Sequence, residues 1–251
     1  AVGTYSEIPV SIMDASGQVV DTLTPNNSPL EFTSLGNGWS QASDMKYDDQ
    51  GNLWILNGYS NKPLKVYTAD NQWYSYDMGT NAKDKFTRKL VIDYNGNKWM
   101  AIKDNGVYGF KDNGTISNIS DDQYININSG ESSGDLPSNE VNAIAVDFDN
   151  EIWIGTDNGF AVLYNSDGAF DAASGEYNAQ RIKVEFEGNV EFVLGSTNVS
   201  DIEVDGGNRK WFGTASSGII LLSADGLEIL EHHTMENSPL ISNVILDLKL
   251  D

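Results

Sequence analysis

The sequence predicts an all-β protein built from repeated four-stranded antiparallel units, and three observations predict it. A short motif recurs four times along the 251 residues. Each copy is followed by apolar runs separated by turns rich in Gly, Asn and Asp. Composition agrees, because 24 glycines and an aromatic content of 10% suit short strands joined by tight turns.

The motif aligns without gaps as MKYDDQGNLWILN (45–57), LVIDYNGNKWMAI (90–102), IAVDFDNEIWIGT (144–156) and IEVDGGNRKWFGT (202–214). An alternating strand ends in Asp, five residues intervene, and Trp follows. The aspartates are Asp48, Asp93, Asp147 and Asp205; the tryptophans are Trp54, Trp99, Trp153 and Trp211. Repeats of this length, each with four strand signals, predict a β-propeller of four-stranded antiparallel blades. A lone blade cannot bury both faces, and stacking blades around an axis solves that. The Trp is then a wedge between neighbouring blades, its indole N–H finding a nearby acceptor. The Asp is expected to bond to backbone N–H groups of its turn. Gly51, Gly96, Asn150 and Asn208 are expected to take positive φ there.

Within the third repeat, strand A reads 141–147, strand B 152–156, strand C 160–164 and strand D RIKVEF, 181–186. The same frame places the blades at about 39–77, 84–119, 138–186 and 196–233. The polar stretch 117–135 reads as a loop on the top face. At the start, VGT (2–4) aligns with IGT (154–156), so the chain enters in strand B, with strands C and D following to residue 23. At the end, Ser242 lies nine residues before Asp251, as Ser138 does before Asp147 and Ser196 before Asp205. Residues 241–251 therefore read as strand A of the blade that 1–23 would complete. The chain holds five blade equivalents, either a closed five-bladed ring or part of a larger one, for example seven-bladed.

Charge narrows the function. Thirty-seven acidic against fifteen basic residues give a net charge of −22, which repels nucleic-acid phosphates. No apolar run is long enough for a transmembrane helix. No secretory signal is visible in the first residues, as expected of a mature exported chain or an excised piece. With no cysteine there is no disulfide, thiolate metal site or Cys nucleophile.

Catalytic signals are weak. His232 and His233 are adjacent, so on a strand they face opposite ways and make a poor metal pair. No nucleophile elbow and no calcium loop is present. Arg88, Arg181 and Arg209 are the only arginines. Arg209 falls in an A–B turn, which argues against a sialidase site. No enzyme, cofactor or metal is expected. The candidate ligand site is the basic cluster Lys83, Lys85, Arg88 and Lys89 in KDKFTRK, assigned to the loop between strand D of one blade and strand A of the next. Such a patch suits phosphate or carboxylate groups of an anionic glycan. Trp73 and Tyr74 are the nearest aromatic candidates.

The repeated D-x-x-G-x-x-W-x-G-T pattern resembles the two-component regulator propeller repeat family, best in DNEIWIGTDNGFAVLYNSDG and DGGNRKWFGTASSGIILLSADG. Residues 144–251 are similar in order and wording to the C-terminal propeller of the PorZ-like cell-surface components of the Bacteroidetes type IX secretion system. The resemblance implies a non-catalytic scaffold at the outer membrane surface. It implies binding of anionic lipopolysaccharide, partnership with the sortase PorU and with PorV and PorQ, and help in attaching secreted cargo. Two alternatives stand beside it: a periplasmic glycan-sensing propeller of a hybrid two-component system, and a glycosidase or lyase propeller.

Overall fold

The structure, a computed structural model, describes residues 1–172, 177–186 and 189–250. The described residues are all-β apart from two short 3-10 turns, Thr80–Ala82 and Gly168–Phe170. The blades are antiparallel sheets. The first full blade runs Ser40–Tyr47, Leu53–Gly58, Leu64–Tyr67 and Trp73–Tyr76, strands A to D in order. The second runs Thr87–Ile92, Lys98–Ile102, Val107–Lys111 and Gln123–Ile127. Its fourth strand thus lies inside the stretch that reads as a polar loop. The fourth blade runs Val199–Val204, Lys210–Thr214, Ile219–Leu222 and Ile229–His233.

Strand B is buried on both faces, which is why it reads as a continuous apolar run. All residues of Leu53–Gly58, Lys98–Ile102 and Ile152–Thr156 are buried. Strand A carries a register shift at the same place in all four blades, between Ala42 and Asp44, Thr87 and Leu90, Val141 and Ala143, and Val199 and Asp201. The extra residue bends strand A and raises its twist.

The third blade departs from expectation. Val141–Val146, Ile152–Thr156 and Gly159–Leu163 form a three-stranded sheet. Among the described residues the fourth position is touched only at Gln180, which exchanges both backbone hydrogen bonds with Val162. Lys183–Phe186, expected as strand D, instead pairs with Asn189–Phe192 in a separate hairpin. The alternation there marks a strand correctly, but the partner is the next segment of chain. Residues 173–176, inside the expected blade range, lie outside the described residues.

At the start, Val2–Gly3, Val10–Met13 and Val19–Leu23 pair as strands B, C and D. Tyr5–Ser6 then crosses to pair with Ser40 and Gln41 of the first full blade. At the other end, residues 242–250 join no strand ladder. They nonetheless sit where strand A sits. Gly218 N–H donates to the carbonyl of Asn243, as Gly159 N–H does to Thr197 and Gly106 N–H to Asn139. Each acceptor lies eight residues before the repeat aspartate or its aligned position. Likewise Leu248 N–H donates to the Asp201 carboxylate at 2.9 Å, as Leu90 N–H does to Asp44 at 2.8 Å. Asp251 itself lies outside the described residues, and closure of a ring is not seen among them.

The Cα positions group into two compact bodies. The N-terminal body holds Ala1–Lys103 and Phe110–Tyr124; the C-terminal body holds Asp104–Gly109 and the chain from Ile125 on. In the first, Trp54 stacks on Tyr76 (5.7 Å, 18°) and both lie against Phe110. In the second, Trp153 stacks on Phe160 (5.6 Å, 16°) and both lie against Phe212. The repeated Trp therefore anchors the aromatic core of each body.

Candidate functional site

The A–B turns are the most regular feature of the molecule. In every full blade the repeat Asp accepts two backbone N–H groups on Oδ1, from the residues two and four further on. At Asp48 these are Gln50 (3.0 Å) and Asn52 (2.8 Å); at Asp93, Asn95 and Asn97 (both 2.9 Å). At Asp147 they are Asp149 (3.0 Å) and Glu151 (2.9 Å); at Asp205, Gly207 (2.9 Å) and Arg209 (3.0 Å). Oδ2 accepts the indole N–H six residues on: Trp54 and Trp99 at 2.9 Å, Trp153 at 3.0 Å and Trp211 at 3.2 Å. The residue three past each Asp has positive φ: Gly51 at 82°, Gly96 at 82°, Asn150 at 63° and Asn208 at 59°. One carboxylate thus closes the turn and fixes the wedge.

These bonds favour the ionised form at Asp48, Asp147 and Asp205. Burial raises the Asp48 carboxyl, but donation from Trp54 and Asn52 outweighs it and the group lies below the usual range. Asp147 is likewise lowered, with Lys210 opposing the burial. Asp205 is lowered to about 2: slight burial raises it, and Arg209, 2.7 Å away, more than compensates.

Two lysines complete the arrangement, and sequence reasoning missed both. Lys98, on the second blade, places its ammonium 3.9 Å from the Trp54 ring centroid and 2.8 Å from Asp112 Oδ2. Lys210, on the fourth blade, lies 4.4 Å from the Trp153 ring centroid and 2.8 Å from Asp147 Oδ2. Both are buried. The signal was present, since Lys stands directly before Trp in two of the four repeats, NKW and RKW.

Two cavities open on the molecule, one in each body, and Lys98 lines the first. One, in the N-terminal body, is about 400 Å³ and is lined by Tyr47, Asp48, Asp49, Asp93, Lys98 and Asp112 among others. The other, in the C-terminal body, is about 520 Å³ and is lined by Asp149, Glu151, Tyr164, Arg181, Lys183 and Asp225 among others. Both lie in the size range of small-ligand sites. Burial, then the charge of Asp147, pushes the Glu151 carboxyl up to about 7.

The basic cluster is not the single loop patch that was expected. Lys83 is tied to Asp77 at 2.8 Å and Lys85 is exposed. Arg88 and Lys89 lie within strand A, Thr87–Ile92, where neighbours alternate between faces. The guanidinium of Arg88 lies 5.9 Å from the Phe86 ring centroid. Trp73 and Tyr74 are on the outer strand of the first blade, opposite Tyr67 and Val66, and Trp73 stacks on Tyr67 at 4.9 Å. Adjacent on a strand, they too face opposite ways. His233 stacks beside Trp211 and contacts Glu231 at 2.7 Å, while His232 contacts the carbonyl of Ser217 at 2.7 Å. Among the described residues no three His, Asp or Glu groups converge as metal ligands, and no helix is long and apolar enough to cross a membrane.

Antiparallel blades, an Asp–Trp clasp in each A–B turn and a Trp wedge between blades define a β-propeller scaffold. A two-component regulator propeller model matches residues 135–158, within the third repeat. It is similar to PorZ, described as an essential bacterial surface component of the type-IX secretion system of human oral-microbiomic Porphyromonas gingivalis. Identity is 30%, the TM-score is 0.80, and the match covers 94% of this chain and 32% of PorZ. The chain thus spans about a third of that protein. A catalytically inactive virginiamycin B lyase from Staphylococcus aureus with quinupristin matches at 15% identity and TM-score 0.54, over 87% of this chain and 60% of its own. A gluconolactonase from Xanthomonas campestris matches at 13% and 0.50, over 78% and 62%. These two share the fold. Comparison with curated proteins gives no match.

Proposed function

We propose that this chain is a non-catalytic propeller scaffold of a type IX secretion system, exported and held at the outer membrane surface. The observation that carries the reading is the likeness to PorZ: 30% identity and a TM-score of 0.80 sustained over 94% of the chain. Identity at that level over a whole fold reaches beyond the repeat pattern, which the lyase and lactonase propellers share in shape at half the identity. In this role the chain helps attach secreted cargo, contacting anionic lipopolysaccharide and the sortase-complex proteins PorU, PorV and PorQ. The basic residues at the entry to the second blade, Lys83, Lys85, Arg88 and Lys89, are the candidate anionic contact, with Lys85 the most exposed.

Deleting the gene and measuring cargo on the cell surface tests the scaffold role. Loss of attached cargo, restored by the gene, is expected; normal attachment overturns the reading. Reversing the four basic charges together is expected to weaken binding of purified lipopolysaccharide in a direct assay. Unchanged affinity removes these residues from the contact.

A further inference from the structure

Chain topology brings four connections of the N-terminal body to one end of its strands. Residues 4–9 and 59–63 join a strand B to a strand C; 24–39 and 77–86 join a strand D to the next strand A. These connections expose large apolar side chains. Tyr5, Ile8, Phe32, Leu35 and Trp39 are each between 41% and 59% exposed. The connections are tied to one another. Trp39 meets Tyr5 edge to face at 5.3 Å, and Asn37 donates to the Tyr5 hydroxyl at 2.8 Å. Ser34 N–H donates to the carbonyl of Tyr59, Tyr59 N–H donates to that of Lys85, and the Tyr59 ring stands 6.0 Å from Phe86. Single exposed apolar residues are ordinary, whereas a joined set rimmed by polar groups marks an interaction surface.

Backbone strain singles out the same face. Tyr59 has φ 53°, the left-handed region, which is costly for a bulky side chain. It stands five residues past the repeat Trp. The second blade has nearly the same φ there, 60°, at Asp104, a residue type that tolerates it; the third and fourth blades have Asn158 and Ser216. The first blade thus keeps a ring on this face at a cost that Asp or Asn would reduce, and strain of that kind collects at binding sites. Charge differs as well. Segments 1–9, 30–40, 57–63 and 77–89 carry five basic and four acidic residues, against 15 and 37 in the whole chain. Lys83 is already paired with Asp77. Lys85 is exposed, and its ammonium has no partner among the described residues.

We propose that this face docks an apolar segment of a partner protein that sets a carboxylate against Lys85. The connection EFTSLGNGWS (31–40) joins Phe and Trp anchors to Ser, Gly and Asn, the mixture found in protein-binding loops. It is fixed before a partner arrives. Thr33 N–H donates to the Trp39 carbonyl, Trp39 N–H to Asn37 Oδ1, and the Ser40 hydroxyl to the Glu31 carbonyl. A surface ordered in advance loses less entropy on binding. Aliphatic Ile8 and Leu35 suit apolar side chains better than sugar hydroxyls. A second copy of the chain, or an anionic membrane, would meet a net charge of −22. A nearly neutral face with one unpaired ammonium instead favours a partner whose own contact is apolar with a carboxylate beside it. The inference rests on this face alone and stands apart from the secretion-system reading.

The test selects a random peptide library against the whole chain and titrates the enriched peptides in synthetic form. They are expected to carry a large apolar residue beside Asp or Glu. Leu35→Ser and Trp39→Ala are each expected to weaken their binding about tenfold, and Lys85→Glu about threefold. Melting temperatures close to the parent's show that the variants are folded. Ile229→Ser, which removes an exposed apolar side chain from the other body, serves as control and is expected to change nothing. Peptides that bind the Leu35 and Trp39 variants as tightly as the parent overturn the proposal. So does a selection that enriches nothing, or only peptides without an acidic residue. Binding to phosphatidylcholine vesicles or to a neutral oligosaccharide that both variants lose overturns it as well, making the face a membrane or glycan contact. Self-association that both variants abolish assigns the face to a second copy, and also overturns it. Leu35→Ser and Trp39→Ala keep all four basic residues of the lipopolysaccharide contact, so failure here and failure there are read separately.

Discussion

Lys210 rests its ammonium on the ring of Trp153, 4.4 Å from the centroid, although the two residues belong to different blades. The same ammonium meets the Asp147 carboxylate at 2.8 Å, and both members of that pair are fully buried. Removing one partner of such a pair leaves the other charge without compensation, at a cost of about 3–5 kcal/mol. Lys210→Met is therefore expected to destabilise the protein by about 3 kcal/mol, the low end because Asp147 keeps its indole and backbone donors. Combining it with Asp147→Asn is expected to cost less than the two losses added, because the residues couple. Urea unfolding of the two single variants and the double variant checks this; strict additivity contradicts an interacting pair.

The indole bonds are separable from the wedge itself. Trp→Phe keeps most of the apolar volume and deletes the donor to the repeat Asp. At Trp54, Trp99 and Trp153, which are fully buried, the expected cost is about 2–3 kcal/mol, a charge-assisted hydrogen bond plus a small cavity. At Trp211 the bond is longer, 3.2 Å, and the residue is half-buried, so a loss of about 1 kcal/mol is expected. Thermal unfolding of the four variants ranks them. Trp211→Phe falling as far as the others contradicts this account.

Turn geometry gives a paired prediction at two glycines. Gly96 has φ 82° and open space where a Cβ would stand. Gly96→Ala therefore meets strain without a clash and is expected to lose about 1–2 kcal/mol. Gly206, in the corresponding turn of the fourth blade, also has open space but no positive φ. Gly206→Ala is expected to be neutral or to gain up to about 1 kcal/mol by restricting the unfolded chain. Equal effects at the two positions in chemical denaturation contradict the conformational argument.

How much of this was legible in the sequence depends on whether a residue acts within its own repeat. The Asp–Trp clasp spans six residues and recurs at fixed spacing, so the spacing alone exposes it. Positive φ at Gly51, Gly96, Asn150 and Asn208 follows from the same local frame. Residues 242–250 were also legible, since their contacts with Gly218 and Asp201 repeat those of the other blades. Partnership is a different matter. Lys183–Phe186 alternates like a blade strand, yet its ladder is with Asn189–Phe192, and alternation says nothing about which segment pairs. Gln123–Ile127 hides in a polar stretch because an outer strand has few buried positions to mark it. Lys98 and Lys210 are charged residues in a doubly buried strand, intelligible only once a neighbouring blade supplies the tryptophan. The basic run 83–89 looks like one patch in the sequence and is divided by the strand that begins at Thr87.

The pH dependence of stability follows from Glu151. Its carboxyl is pushed up to about 7, first by burial and then by the charge of Asp147, with Lys210 opposing. In the unfolded chain a glutamate titrates near about 4.3. Between these values the folded protein holds a proton that the unfolded chain has released, so folding stability falls as pH rises. The contribution is fully present below about 4.3 and is lost as pH passes about 7. Carboxylates lowered in the fold, such as Asp205 at about 2, act in the opposite sense, but their window lies below that of Glu151. Glu151→Gln removes the titration while keeping the shape. The variant is expected to match the parent at about pH 4 and to melt several degrees higher at about pH 8, where the parent carries a charge its surroundings disfavour. Melting curves of both proteins across this range test it. A difference independent of pH, or a variant that is the less stable at pH 8, contradicts the assignment to Glu151.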